Sequence, residues 1–259
     1  MKVLTFFNHA GGVAKTSTVR DLGDAFAAKG KRVLLIDMDP QANLTEWLGV
    51  ENAIELSSTI YPGVIGDSDE LALPSPITVG NLHLIPSCLS LALVEREILS
   101  VVLGVLRLRE SIRALTGYDY VFIDPPPSLG QLSALAVIAA DHVVVPLPTN
   151  RKGLDGLTTV VQMVKEYRNA APGLNIAMFV LTQHDRRTRH AKDSLEAILE
   201  HVSSIAPVSS PLGFRPAAYS DSQVACLPIT QFLPGSDAAS EIEAVASELL
   251  TVLEGDSND

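Results

Sequence analysis

Residues 7 to 17 read Phe7-Asn8-His9-Ala10-Gly11-Gly12-Val13-Ala14-Lys15-Thr16-Ser17. An apolar run precedes them, and a stretch with apolar residues at helical spacing follows. A glycine-rich turn that carries a strand into a helix and closes on Lys-Thr is the strongest constraint in the chain. The ordinary phosphate-binding pattern has glycine where His9 and Ala14 stand. The chemistry survives both changes. Gly11 and Gly12 let backbone N–H groups curl around an anion, Lys15 brings a point charge, and Thr16 offers a hydroxyl to a divalent cation at a helix N-terminus. Taken alone, the loop also reads as a strand-to-helix turn with no ligand. The rest of the chain decides against that reading.

Lys2 to Phe7 reads as a first strand. Residues 16 to 29 read as a helix, with Val19, Leu22, Ala25 and Phe26 on one face and Gly30 ending it. Val33 to Ile36 is an apolar strand that runs into Asp37-Met38-Asp39-Pro40, so a strand, helix, strand unit delivers two carboxylates beside the loop. Glu51 to Pro76 reads as an irregular surface excursion with a short helix. Further strands are expected at Leu82 to Pro86, Tyr120 to Ile123, His142 to Pro146, Ile176 to Leu181 and at Val208. Helical stretches are expected at Leu91 to Leu115, Gly156 to Asn169, Lys192 to Ser203 and Ala238 to Leu253. The strand at Tyr120 ends at Asp124-Pro125-Pro126-Pro127, placing a third carboxylate at a strand's carboxyl end, where open parallel sheets bind ligands.

At 259 residues, 47% hydrophobic and 5% aromatic, the chain suits buried parallel strands covered by helices. These patterns predict a doubly wound α/β domain over residues 1–253, a mostly parallel sheet with helices on both faces, and an acidic, frayed tail at 254–259. Cys88 and Cys226 match no metal or redox spacing and read as reduced thiols. No stretch reaches the roughly 18 continuous apolar residues of a membrane span, and the chain opens directly on a strand without a signal peptide, so a soluble, cytoplasmic protein is expected. A net charge of −11 argues against a protein wrapped in nucleic acid. Positive charge is nonetheless concentrated in Arg186-Arg187-Thr188-Arg189-His190-Ala191-Lys192. Such a cluster reads either as a solvated helix face or as a phosphate-backbone contact without base readout. Arg151 and Lys152 either add to that field or line the nucleotide site.

Phosphoryl transfer is mostly positioning and charge neutralisation, so a site for it needs a phosphate cradle, a metal and a carboxylate that orients water. The cradle is Gly11, Gly12, Val13, Ala14, Lys15, Thr16 and Ser17, with Lys15 on the β- and γ-phosphates. Thr16, Asp39 and Asp124 are the candidate Mg²⁺ set, Asp124 through the metal's water shell. Lys15, Asp37 and Asp39 are the candidate catalytic residues, Asp39 being the better placed to orient water. Any one aspartate at a strand end reads as a turn or cap residue. Three of them in register with a phosphate loop do not.

Ala10 to Thr16, Val33 to Asn43 and Tyr118 to Gly130 resemble the deviant Walker A, the A′ and the Walker B motifs of the ParA family of DNA-partition ATPases. Leu84 to Ser87, Gly153 to Leu157, Leu181 to Thr188, Leu227-Pro228-Ile229 and Ser236 to Ala239 resemble later family landmarks in the same order. The chain is similar to the small, stand-alone members. The resemblance implies ATP and Mg²⁺ as cofactors and a sandwich homodimer in the ATP state. It also implies nonspecific DNA binding with nucleoid association, and hydrolysis triggered by a centromere-binding, ParB-like partner, so that plasmid or chromosome copies are segregated. It places Arg187 and Arg215 at DNA-contacting positions, reinforced by Arg189 and Lys192, and adds Arg215 and Pro216 to the nucleotide-binding set.

Two departures stand out. The family's signature lysine, which reaches across the dimer to the neighbour's phosphates, is replaced by Ala10, and a charge-assisted contact in a dry site is worth about 1.5 to 3 kcal/mol. Ala14 replaces a glycine, at about 1 kcal/mol if φ is positive there. They leave open a degenerate nucleotide switch or scaffold with little hydrolysis. A MinD-like membrane ATPase is a further alternative, but Glu241, Glu243, Glu248, Glu254 and Asp256 make the last helix acidic, which an anionic membrane repels. Cluster-carrying relatives need paired cysteines, which Cys88 and Cys226 do not supply.

Overall fold

The computed structural model describes residues 1–50, 54–66 and 72–255. Parts of the expected excursion (51–53 and 67–71) and the end of the acidic tail (256–259) lie outside them. In chain order the elements are β1 (Lys2–Phe6), α1 (Lys15–Ala28), β2 (Val33–Asp37), α2 (Asn43–Glu46), α3 (Pro62–Ile65), β3 (Ile77–Val79), β4 (Leu82–Ile85), α4 (Val94–Glu97), α5 (Gly104–Arg113), β5 (Tyr120–Asp124), α6 (Gln131–Ala139), β6 (His142–Pro148), α7 (Arg151–Tyr167), β7 (Asn175–Thr182), α8 (Arg189–Val202), α9 (Pro216–Val224), α10 (Ile229–Phe232) and α11 (Asp237–Gly255).

The seven strands form one sheet in the order β3-β4-β2-β5-β1-β6-β7, with every pair parallel except β3 with β4. Alternation along each strand sorts side chains to two faces. Val3, Leu34 and Val121 enter the core under α5 to α8. Leu4, Leu35 and Phe122 enter the core under α1 and α11. Phe26 of α1 seats edge-on against Tyr120 and Phe122, with ring centroids 5.0 and 5.1 Å away, which fixes that helix, and the loop before it, over β5.

The expected fold class is the one observed. The structure corrects several local readings. Val208 makes a single parallel bridge to Phe179 rather than a strand. Leu91 to Leu115 is a chain of short turns before α5, because Leu103 takes a left-handed φ of 53°. Gln131–Ala139 and Pro216–Val224 are helices that periodicity did not mark. The first is buried along most of its length and so shows no polar stripe; the second is short, with a proline in its first turn and little apolar periodicity. The last helix continues to Gly255, with Glu254 paired to Lys31 at 2.8 Å.

Candidate functional site

The loop after β1 is held from outside through three successive carbonyls. Lys152 donates to the Gly11 carbonyl, Gln183 Nε2 to that of Gly12 at 3.0 Å, and Thr182 Oγ1 to that of Val13 at 3.0 Å. With its carbonyls occupied on that side, the loop leaves its concave side for an anion. Ala14 caps α1 in a left-handed conformation, φ 64° and ψ 27°. The first four N–H groups of the helix have no intrahelical acceptor there.

Lys152 reaches the loop because α7 starts at Arg151, earlier than its periodicity suggested. The Asn150 side chain caps this helix by accepting from the Gly153 N–H at 3.3 Å. Gly153 is required: a Cβ there would fall 2.0 Å from the Pro148 carbonyl oxygen. Of the two roles left open for Lys152, the structure shows the contact with the phosphate loop.

Lys15 is buried, and its ammonium donates to Asp124 Oδ1 at 2.6 Å and to the Pro125 carbonyl. Asp124 stands opposite Asp37 in the β2/β5 register. Burial raises the Asp124 pKa, Lys15 and the Thr16 hydroxyl pull it back, and Asp39 pushes it up again. Its second oxygen, Oδ2, is buried without a hydrogen-bond partner among the described residues. An orphaned carboxylate oxygen beside a threonine hydroxyl is a hard-oxygen donor pair of the kind that holds Mg²⁺ together with substrate phosphates. Among the described residues no three His, Cys, Asp or Glu side chains converge on a metal position, so any such cation would arrive with its phosphates.

The candidate carboxylates divide. Asp39 lines the loop cavity, and its Oδ1 accepts from the Gln41 N–H at 2.9 Å. Asp37 does not line it. Its Oδ1 takes the Asp39 N–H at 3.1 Å and its Oδ2 takes the Thr45 N–H and hydroxyl at 2.9 and 2.8 Å. Full burial and the facing Asp124 push its pKa up to about 7. With its oxygens spent in this way, Asp37 fastens the turn after β2 instead of facing the phosphate position, as a catalytic carboxylate would.

Two cavities meet at the loop. The smaller, about 250 Å³, is lined by the residues from Ala10 to Ser17 with Asp39, Asn43, Trp47 and Pro127. The larger, about 280 Å³, lies beyond Ser17 and Thr18, between Thr182, Gln183, Phe214, Arg215, Pro216 and Tyr219. The loop residues, Arg215 and Pro216 therefore stand around one continuous cleft. Trp47, Gln183 and Tyr219 were missed in sequence. Trp47 alone had a signal, lying four residues past the end of the Asp37-to-Asn43 motif.

The basic cluster opens α8, where Thr188 caps the helix by accepting from the Ala191 N–H at 3.2 Å. Arg187 is exposed and forked onto Asp185 at 2.9 and 3.0 Å. Arg189 sits 3.8 Å from Asp193, and Lys192 is exposed on the same turn. Arg215 is not on the open surface with them. It is half-buried at the rim of the larger cavity, forked onto Glu241 at 2.6 and 2.9 Å, and Arg186 reaches the same carboxylate at 3.3 Å. No described helix is long and apolar enough to cross a membrane.

The comparisons agree with this geometry. The AAA domain family AAA_31 matches residues 1–178. A probable plasmid-partitioning protein ParA of Thermus thermophilus is 39% identical, over 96% of this chain and 78% of its own length. The sporulation initiation inhibitor protein Soj of Bacillus subtilis is 36% identical over 77% of this chain and 79% of its own. The structure of a Mycobacterium smegmatis cobyrinic acid a,c-diamide synthase with bound ADP and magnesium superposes with a TM-score of 0.82 at 27% identity, covering 99% of this chain and 96% of that one. With the family match over residues 1–178 and relatives 39% and 36% identical, the chain belongs to the ParA family of partitioning ATPases.

Proposed function

We propose that this protein binds ATP with Mg²⁺, dimerises in that state, binds DNA without sequence preference, and hydrolyses ATP when a ParB-like, centromere-binding partner engages it. The observation that carries the reading is the loop cradle. Three of its successive carbonyls are held on one side by Lys152, Gln183 and Thr182, and Lys15 is poised on Asp124. Triphosphate oxygens entering the cradle draw Lys15 from Asp124. Thr16 and Asp124 are the residues that would hold Mg²⁺, which would supply charge neutralisation for the bound phosphates. Asp39 lies across the cavity from the loop, positioned to orient the attacking water.

Ala10 cannot supply the cross-dimer charge, but the exposed Lys152 of α7 brings its ammonium to the carbonyl of Gly11, the next residue of the loop. In a dimer that packs cradle to cradle, its ammonium takes the role of the signature lysine. This favours a working ATPase over a degenerate scaffold.

The DNA surface is the α8 turn. Cations at a helix N-terminus oppose the helix dipole, so Arg187, Arg189 and Lys192 carry a cost there that a bound phosphate offsets. Arg215 stays at the cavity rim, linked to this surface only through the Glu241 carboxylate that it shares with Arg186. A MinD-like membrane role is disfavoured because the apolar face of α11 is buried against the sheet. The expected setting is the cytoplasm, on the nucleoid when ATP is bound.

Sedimentation with ATP, ADP or no nucleotide, each with and without DNA, tests the reading. The expected result is a doubling of mass with ATP and an ATP-dependent, salt-sensitive association with DNA that Arg187→Glu with Arg189→Glu abolishes. A protein that stays monomeric and off DNA in every state overturns it.

A further inference from the structure

The two cavities share only four lining residues, Gly12, Ala14, Ser17 and Trp47. The first three belong to the loop and the first turn of α1 and bring backbone and small side chains to the neck. The indole of Trp47 is the one extended surface there.

A nucleoside polyphosphate with its phosphates in the loop cavity and its base in the larger one must thread its sugar through this neck. The turn that carries Trp47 is firmly seated. Leu44 and Leu48 are buried on either side, the Trp47 N–H donates to the Asn43 carbonyl at 2.9 Å, and Thr45 is tied to Asp37 while its hydroxyl also accepts from the Ser87 N–H at 2.9 Å. The ring itself is half-buried, so one side of it remains available to a ligand.

We infer that Trp47 is a nucleoside-binding residue, packing on the sugar and the adjoining edge of the base. This rests on the nucleotide reading above and adds to it a residue that senses the nucleoside rather than the phosphates. A flat, apolar ring contributes contact area at low entropic cost against the C–H faces of a sugar and the π-face of a base. A bare polyphosphate, which has no apolar or π face to lay against the ring, gains little from it even though the ring also borders the smaller cavity.

Titration calorimetry with two probes, ATP·Mg²⁺ and inorganic tripolyphosphate·Mg²⁺, tests the assignment. Trp47→Ala is expected to weaken ATP by about tenfold and tripolyphosphate by less than about twofold, and Trp47→Phe to bring ATP back to within about threefold of the wild type. Trp47 is the only tryptophan in the chain, so wild-type emission should shift more with ATP than with tripolyphosphate. Equal losses for both probes, no loss for either, or an emission indifferent to bound ATP overturns the assignment while leaving the nucleotide reading intact. A wild-type protein that binds no ATP overturns both.

Discussion

Lys15 and Asp124, 109 residues apart in the chain, meet through a 2.6 Å contact between Nζ and Oδ1, both side chains being buried. Removing one member of a buried pair strands the other at about 3 to 5 kcal/mol. Lys15→Ala is therefore expected to lower the unfolding free energy by about that much, read by denaturant titration, and to abolish ATP binding. Pairing it with Asp124→Asn should recover most of the stability and none of the binding. A single Lys15→Ala variant as stable as the wild type would contradict the pair's role.

Ala14 holds a φ of 64° at the helix cap, a conformation that costs an L-residue about 1 to 2 kcal/mol. Ala14→Gly relieves that strain and makes the unfolded chain more flexible, which takes back about half of the gain. The expected net effect is a stabilisation of about 0.5 to 1 kcal/mol, read by thermal or chemical denaturation. A destabilised variant would mean that the methyl makes a packing contact worth more than the strain.

If Lys152 does the work of the missing signature lysine, Ala10→Lys should change ATP-driven dimerisation little in the wild-type background. Lys152→Ala should lose the dimer, and Ala10→Lys should restore it in that variant. Light scattering with ATP reads all three proteins. A dimer that survives Lys152→Ala alone would show that neither position matters.

His184 is buried between β7 and the turn at Gly213, its Nδ1 3.0 Å from the Thr149 hydroxyl. Burial lowers its pKa from 6.5 and the Arg186 charge lowers it further; Asp185 and Glu241 push it partly back, and Lys192 lowers it by the smallest of these effects. The unfolded chain therefore takes up a proton below pH 6.5 that the native state refuses, so this group makes stability fall as pH drops through that region. The melting temperature should decline less between pH 7 and pH 5 in His184→Asn than in the wild type. Parallel profiles would assign the acid sensitivity to other groups.

The phosphate loop, the apolar strands and the three aspartates were legible because each is local: a turn, a run, a residue at a run's end. Sequence ranked Asp39 above Asp37 for orienting water but could not remove Asp37 from the catalytic candidates. They stand two residues apart at the end of one strand, and only the turn back to Thr45 decides that Asp37 is consumed by hydrogen bonds. Gln183 is invisible for the opposite reason, and for Lys152, which the sequence leaves between two roles, only the fold decides. Their partners are loop carbonyls 171 and 141 residues away, brought close by the β1/β6/β7 order of the sheet. The buried helix Gln131–Ala139 carries no amphipathic signature to read.

Both margins of the sheet are blunted. On one side lies the three-residue antiparallel β3. On the other, β7 is covered by single bridges from Val208 and Gly213 instead of a full strand. An open parallel edge would invite a second copy to add itself as another strand, the route by which crowded β-structure aggregates. With one edge cut to three residues and the other met by single bridges, the sheet offers a second copy little hydrogen-bonding rim to extend.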